Sequence, residues 1–297
     1  MNYNKTVMVT GANGLIGKAI CNYLFKKNVD VLAVYREEPV KMPDWKFIIW
    51  NIEDQNLPDN NIAPAYIVHC AASVPKFNTV EHFREVADKN KVIDNNILKF
   101  AVKTDSALIY TSGTSVYGFN RNEKVNENAI LDSLDNPYFN QKTESEKLFS
   151  TKLNNVTILR ISAPYEPCMN ANTVIKLFIN KALLNEDILY HGSGNRCQDF
   201  IHANDIADAV WKCIKKGENK AIYNIASAKP ITMKKLAELI ISKVPGCKSL
   251  ILPSGSVDPQ ENYKAQFDIS KAFRELNWMP KTELDAGVNE WIKYLQQ

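Results

Sequence analysis

Tyr138 and Lys142 lie four residues apart, a spacing that puts two side chains on one face of a helix. An ammonium beside a phenol favours the phenolate. A free phenol titrates near 10, so bringing one to neutrality takes about 4 kcal/mol of differential stabilisation, which a lysine and a second nearby cation can share. A phenol in that setting gives or takes a proton at an alcohol or carbonyl. The other chemically suggestive stretch is Thr10 to Gly17, Thr-Gly-Ala-Asn-Gly-Leu-Ile-Gly, with three glycines at three-residue intervals between an apolar strand and a helix. Gly11 permits a sharp turn out of the strand, Gly14 lets backbone N–H groups approach an anion, and Gly17 is expected to let the helix pack against the sheet. The helix N-terminus adds unsatisfied donors and partial positive charge. A pyrophosphate is therefore expected on Gly11, Asn13, Gly14, Leu15, Ile16 and Gly17.

Holding these groups in place takes a succession of strands and helices. The spacing of apolar residues predicts strands over 6–9, 29–35, 45–51, 66–71, 107–111 and 156–161, and helices over 14–24, 80–102 and 136–152. The fourth strand runs into the small residues Cys70, Ala71 and Ala72, against which a cofactor can lie closely. Strands alternating with helices imply right-handed crossovers and an α/β fold, a Rossmann-type doubly wound parallel sheet that binds its ligands beyond the strand C-termini. From about residue 164, prolines and shorter elements change the rhythm, and a smaller C-terminal mixed α/β lobe is expected. The division is 1–165 with about 199–228 as the dinucleotide-binding domain, and 166–198 with 229–297 as the substrate-binding lobe.

A chain of 297 residues can bury a large core. Its 36 basic and 33 acidic side chains nearly cancel, and no basic run is interleaved with aromatics, so a nucleic-acid partner is not expected. Six cysteines (Cys21, Cys70, Cys168, Cys197, Cys213 and Cys247) are scattered without a Cys-x-x-Cys pair. With no clustered histidines beside them, no metal site is expected, and the thiols fit a reduced, cytoplasmic protein. Met1-Asn2-Tyr3-Asn4-Lys5 leads at once into the first strand, leaving no room for a signal peptide, and no apolar run reaches membrane-spanning length.

The chain resembles the extended short-chain dehydrogenases/reductases, the family of NAD(P)-dependent nucleotide-sugar epimerases, dehydratases and reductases. The resemblance covers almost the whole length. It is carried by the glycine stretch, Val68-His-Cys-Ala-Ala72, Asn95-Asn96, Ser112-Gly-Thr-Ser-Val-Tyr-Gly118, Tyr138-x-x-x-Lys142, Leu159-Arg160, Asp199-Phe-Ile-His202 with Asp205, and Asp268-Ile-Ser-Lys-Ala272. It implies that Tyr138 is the acid/base, that Lys142 holds the nicotinamide ribose, and that a Ser or Thr after the fifth strand hydrogen-bonds the reacting oxygen. It also implies adenine contacts from Asn51 and Ile52, a cofactor contact from Ile161, and a homodimer formed through the two long helices.

Several positions depart from the family. Where the catalytic Ser or Thr is expected stands Gly113, so Ser112 or Thr114 is expected to take that role, unless backbone N–H groups and water do or the chemistry is reduced. Gly113-Thr114-Ser115 lacks the acid that the 4,6-dehydratases carry, which argues against a dehydratase. The usual Asn after the sixth strand is Ala163, the Arg before Asp199 is Gln198, and no second arginine occurs in Val257-Asp-Pro-Gln-Glu-Asn262. Arg196 is expected to compensate, sharing a face with Gln198 if the segment is extended and meeting a substrate diphosphate. Strand two ends in Tyr35-Arg36 rather than the acid that accepts from a ribose 2′-OH, and arginine suits a 2′-phosphate, so NADP is expected over NAD. The expected activity is NADPH-dependent reduction of a keto group on a nucleotide-activated 6-deoxysugar. A 4-epimerase with bound NAD and a non-catalytic dinucleotide-binding relative stand as alternatives.

Overall fold

The computed structural model describes residues 5–54, 56–59, 61–119, 123–132, 136–167, 169, 172–217 and 220–296, so residues 1–4 and Cys168 lie outside the described residues. The first half runs β1 (Val7–Thr10), α1 (Leu15–Lys26), β2 (Val31–Tyr35), β3 (Lys46–Ile49), β4 (Tyr66–His69), α2 (Val80–Thr104), β5 (Ala107–Gly113), α3 (Pro137–Lys152) and β6 (Val156–Ile161). It continues through β7 (Ala163–Tyr165), α4 (Val174–Leu183), β8 (Ile188–Tyr190), β9 (Cys197–Gln198), β10 (Phe200–His202), α5 (Ala203–Lys216) and β11 (Lys220–Ile225). The remainder is β12 (Ile231–Thr232), α6 (Met233–Lys243), β13 (Ile251–Pro253), α7 (Ser270–Leu276) and α8 (Leu284–Leu295).

Seven strands form one sheet in the order β11-β6-β5-β4-β1-β2-β3, and every pairing in it is parallel. This is the expected Rossmann-type sheet. Side chains alternate across it. Val7, Val9, Val68 and Ile109 meet Ile20 and Leu24 of α1 and Val210 and Cys213 of α5 on one face. Met8, Ile67, Leu108 and Ile158 meet Ile93, Ile97 and Phe100 of α2 and Phe149 of α3 on the other. A separate cluster joins α4, α6 and α8 through Phe178, Ile179, Leu236, Ile240, Val288 and Trp291. Small two-stranded sheets, β12 antiparallel to β9 and β13 parallel to β8, edge that part of the chain.

Local sequence sets where the helices begin. Asn136 accepts hydrogen bonds from the backbone N–H groups of Tyr138 and Phe139 and is followed by Pro137 in the first turn, so α3 starts with Tyr138 near its N-terminus. By contrast, α1 begins at Gly14 with no side-chain cap and no acidic residue in its first turn, which leaves its terminal N–H groups for an anion. Element ends shift by a few residues from the expected reading, and two differences bear on the cleft. β4 ends at His69, two residues early, because Cys70 and Ala71 turn back to donate their N–H groups to the Thr10 hydroxyl, each at 3.1 Å. A Cβ on Gly17 would collide with the Gly11 carbonyl oxygen, so this glycine packs the helix on the loop rather than on the sheet.

Candidate active site

Gly11 sits at φ +66°, and a Cβ there would come within 2.8 Å of the Ala71 nitrogen. Any other residue would fill the floor of the cleft that opens beyond the C-terminal ends of β1, β2 and β4. Of the residues expected to hold a dinucleotide, Gly11, Asn13 and Gly14 line this cleft from the loop, Cys70, Ala71 and Ala72 from the end of β4, and Tyr35, Arg36, Asn51 and Ile52 from the far side. The Tyr35 ring packs edge-on against Phe47 with centroids 5.8 Å apart, while the Arg36 side chain stands exposed at the mouth near Glu37. Leu15 and Ile16 instead pack on the two hydrophobic clusters either side of the loop, and Ile161 is buried in the core beneath.

Lys142 lies one turn beyond Tyr138 on α3, as their spacing required, and is buried while Tyr138 is half-buried. Its ammonium donates to the Tyr110 hydroxyl of β5 at 3.1 Å. Burial opposes its charge, but Tyr110, Tyr138 and Asp94 around it outweigh that and hold it protonated above the ordinary lysine value. Tyr110 is a partner that sequence reasoning missed. So is a buried chain of polar groups behind it. His69 bonds the Thr10 hydroxyl through Nδ1 at 2.8 Å and Asp94 through Nε2 at 2.9 Å, and the other oxygen of Asp94 accepts from Gln141 at 2.7 Å and Ser145 at 2.5 Å. This chain ties the glycine loop to α3. Although burial opposes ionisation of Asp94, His69, Lys142 and Ser145 keep it below the usual carboxylate range.

The two hydroxyls expected to replace the missing one go separate ways. Ser112 donates to Glu146 at 2.6 Å and belongs to a buried cluster in which Arg160 forks onto Glu146, at 2.7 and 3.1 Å, and reaches the Tyr117 hydroxyl at 2.9 Å. Thr114 is buried in the short 3-10 turn after β5, and nearby, burial pushes up the phenol of Tyr263. Tyr263 also packs edge-on against Phe119, and Phe119 against Phe139, the neighbour of Tyr138. A track of aromatic groups thus leads from Tyr138 toward β9. There Gln198 is half-buried opposite Ile231, and Arg196, expected to be free for an anion, forms an ion pair with Asp258 at 2.9 Å.

The motif around Asp199 does structural work. Asp199 is buried and accepts from the Ser162 hydroxyl at 2.6 Å and the Ser227 N–H at 2.8 Å, and Asp205 accepts from the backbone of Lys281 and Thr282, both at 3.0 Å. They fasten later segments onto the sheet. Among the described residues no group of His, Cys, Asp and Glu is placed to hold a metal, and no helix is long and apolar enough to cross a membrane.

A sequence model described as the NAD dependent epimerase/dehydratase family matches residues 7–226. A dTDP-4-dehydro-6-deoxyglucose reductase of Escherichia coli is 26% identical over 319 residues, spanning 98% of this chain and 97% of its own. Two solved structures share the fold: a UDP-glucose 4-epimerase of Thermotoga maritima with UDP-glucose, at TM-score 0.85 and 23% identity over 98% of both chains, and a UDP-glucose 4-epimerase of Thermus thermophilus with NAD. The latter superposes at TM-score 0.83 and 18% identity over 98% of this chain and 99% of that one.

Proposed function

The chain belongs to the NAD dependent epimerase/dehydratase family, and from that premise we propose that it is an NADPH-dependent reductase of a keto group on a nucleotide-activated 6-deoxysugar. The observation that carries the reading is Arg36, exposed at the mouth of the dinucleotide cleft directly after Tyr35, which stands at the end of β2 where an NAD site would place an acid for the ribose 2′-OH. A guanidinium there suits a 2′-phosphate, and the phosphorylated cofactor pool serves reduction. The cradle made by Gly11 and the uncapped start of α1 fits a pyrophosphate. When bound, the nicotinamide supplies the hydride. Tyr138 protonates the oxygen of the reduced carbonyl, Lys142 stabilises negative charge on the tyrosine oxygen, and Thr114 steadies the carbonyl. The similarity to the Escherichia coli reductase supports the substrate class.

Incubation with NADPH and a panel of nucleotide 4-keto-6-deoxysugars tests the reading. NADPH should be oxidised in step with product, and NADPH should bind more tightly than NADH. Interconversion of an unoxidised sugar pair with no net cofactor consumption would establish instead the 4-epimerase, the activity named for both structural neighbours. The reading includes a homodimer through α2 and α3, with Val92 and Val102 of α2 exposed, and sedimentation showing only monomer at micromolar concentration would count against it.

Restoring the missing hydroxyl is the sharper probe of the chemistry. Gly113 has φ −125° and ψ 153°, an extended conformation open to any residue, and a Cβ there would meet only the Ser115 hydroxyl at 3.3 Å, with nothing else nearer than 3.9 Å. Gly113→Ser should therefore fold normally once Ser115 rotates. One well-aimed donor to a developing oxyanion is worth roughly 10²-fold, so kcat should rise by about ten-fold or more. An unchanged kcat in a folded variant would mean that Thr114 already does this work.

A further inference from the structure

Arg196, the cation expected from the sequence to meet a substrate diphosphate, is already engaged. Its Nε lies 2.9 Å from an Asp258 carboxylate oxygen, and its Nη1 donates to the Gln260 side chain at 3.3 Å. The Asp258 side chain is only 7% exposed, against 21% for Arg196, so the pair is shielded from solvent and its attraction little screened. Its position is fixed by the chain around it. The other Asp258 oxygen accepts from the Gln260 N–H at 2.9 Å, the Gly192 N–H donates to Ser256 at 2.9 Å, and the Cys197 N–H donates to the Tyr263 carbonyl at 2.8 Å.

We propose that Asp258 is a specificity-determining residue, which neutralises Arg196 and so weakens the grip of this site on the diphosphate of its substrate. The inference rests on the nucleotide-sugar reading and deepens it. A diphosphate must either displace Asp258 from the guanidinium or bind beside a carboxylate, and each route lowers its affinity. Discrimination then falls to the nucleoside and sugar ends, and a free nucleoside diphosphate is held loosely.

Calorimetric titration of the full chain with UDP and with dTDP tests this. Asn at position 258 keeps the oxygen that accepts from Gln260, so Asp258→Asn should preserve the turn. It should tighten diphosphate binding by about ten-fold or more and steepen its loss with added salt, and adding Arg196→Gln should reverse the gain. An unchanged or weaker affinity in a variant that melts like the wild type overturns the proposal alone. Should the variant not fold, the wild type decides: affinity nearly constant from low to high salt supports a neutralised Arg196, and a steep fall overturns it. Absence of binding by wild type and variant alike overturns both this inference and the nucleotide-sugar reading.

Discussion

Tyr138→Phe should lower kcat by roughly 10²- to 10⁴-fold while leaving NADPH affinity within about two-fold of the wild type. The substitution removes one oxygen and keeps the ring, which packs beside Phe139 with centroids 5.8 Å apart, so the start of α3 should be undisturbed. The cleft residues that cradle the pyrophosphate come from other elements and are untouched. Single-turnover kinetics with saturating cofactor, paired with a fluorescence titration of NADPH, separates the two quantities. Turnover within ten-fold of the wild type would remove Tyr138 as the proton donor.

The largest stability effect is expected at Glu146, which contributes nothing to the cleft. Its carboxylate accepts from Arg160 Nε and Nη2 and from the Ser112 hydroxyl, and both members of the ion pair are buried. Glu146→Ala leaves a guanidinium in the interior with, among the described residues, Tyr117 and the Glu127 carbonyl for partners. Breaking a buried pair in this way costs about 3–5 kcal/mol. Urea denaturation should show a lower midpoint at unchanged slope, and replacing both partners by apolar residues of similar size should recover most of the loss. A cost under about 1 kcal/mol would mean that the cluster relaxes to let water reach Arg160.

The parts of the site that were legible in the sequence are those whose meaning is local. The glycines of the first turn and a tyrosine four residues before a lysine are read from neighbouring positions, and the structure puts Gly11 and Gly14 in the cleft and Lys142 one turn beyond Tyr138 on α3. The fate of Ser112 was within reach too. Residues two apart on a strand share a face, so Ser112 had to follow Tyr110 toward α3 rather than join Gly113. The partners that change the chemistry could not be read in this way. Tyr110 meets Lys142 across 32 residues, His69 meets Asp94 across 25, and Asp258 reaches Arg196 from a loop more than sixty residues downstream. Nothing in the local pattern of Val257-Asp-Pro-Gln-Glu-Asn262 says which side chain of the chain it will meet.

The position of β11 matters before the protein is finished. It is the last strand of the sheet, beside β6, yet the 58 residues from 162 to 219 separate the two in the chain. On the ribosome, six strands can assemble as soon as β6 emerges, with β6 as an open edge whose N–H and C=O groups invite pairing with another chain. At about 5–20 residues per second, that edge waits about 3–12 s for its natural neighbour. The nascent chain is therefore most prone to misassociate over that interval, and a fragment released anywhere within it keeps the sticky edge permanently.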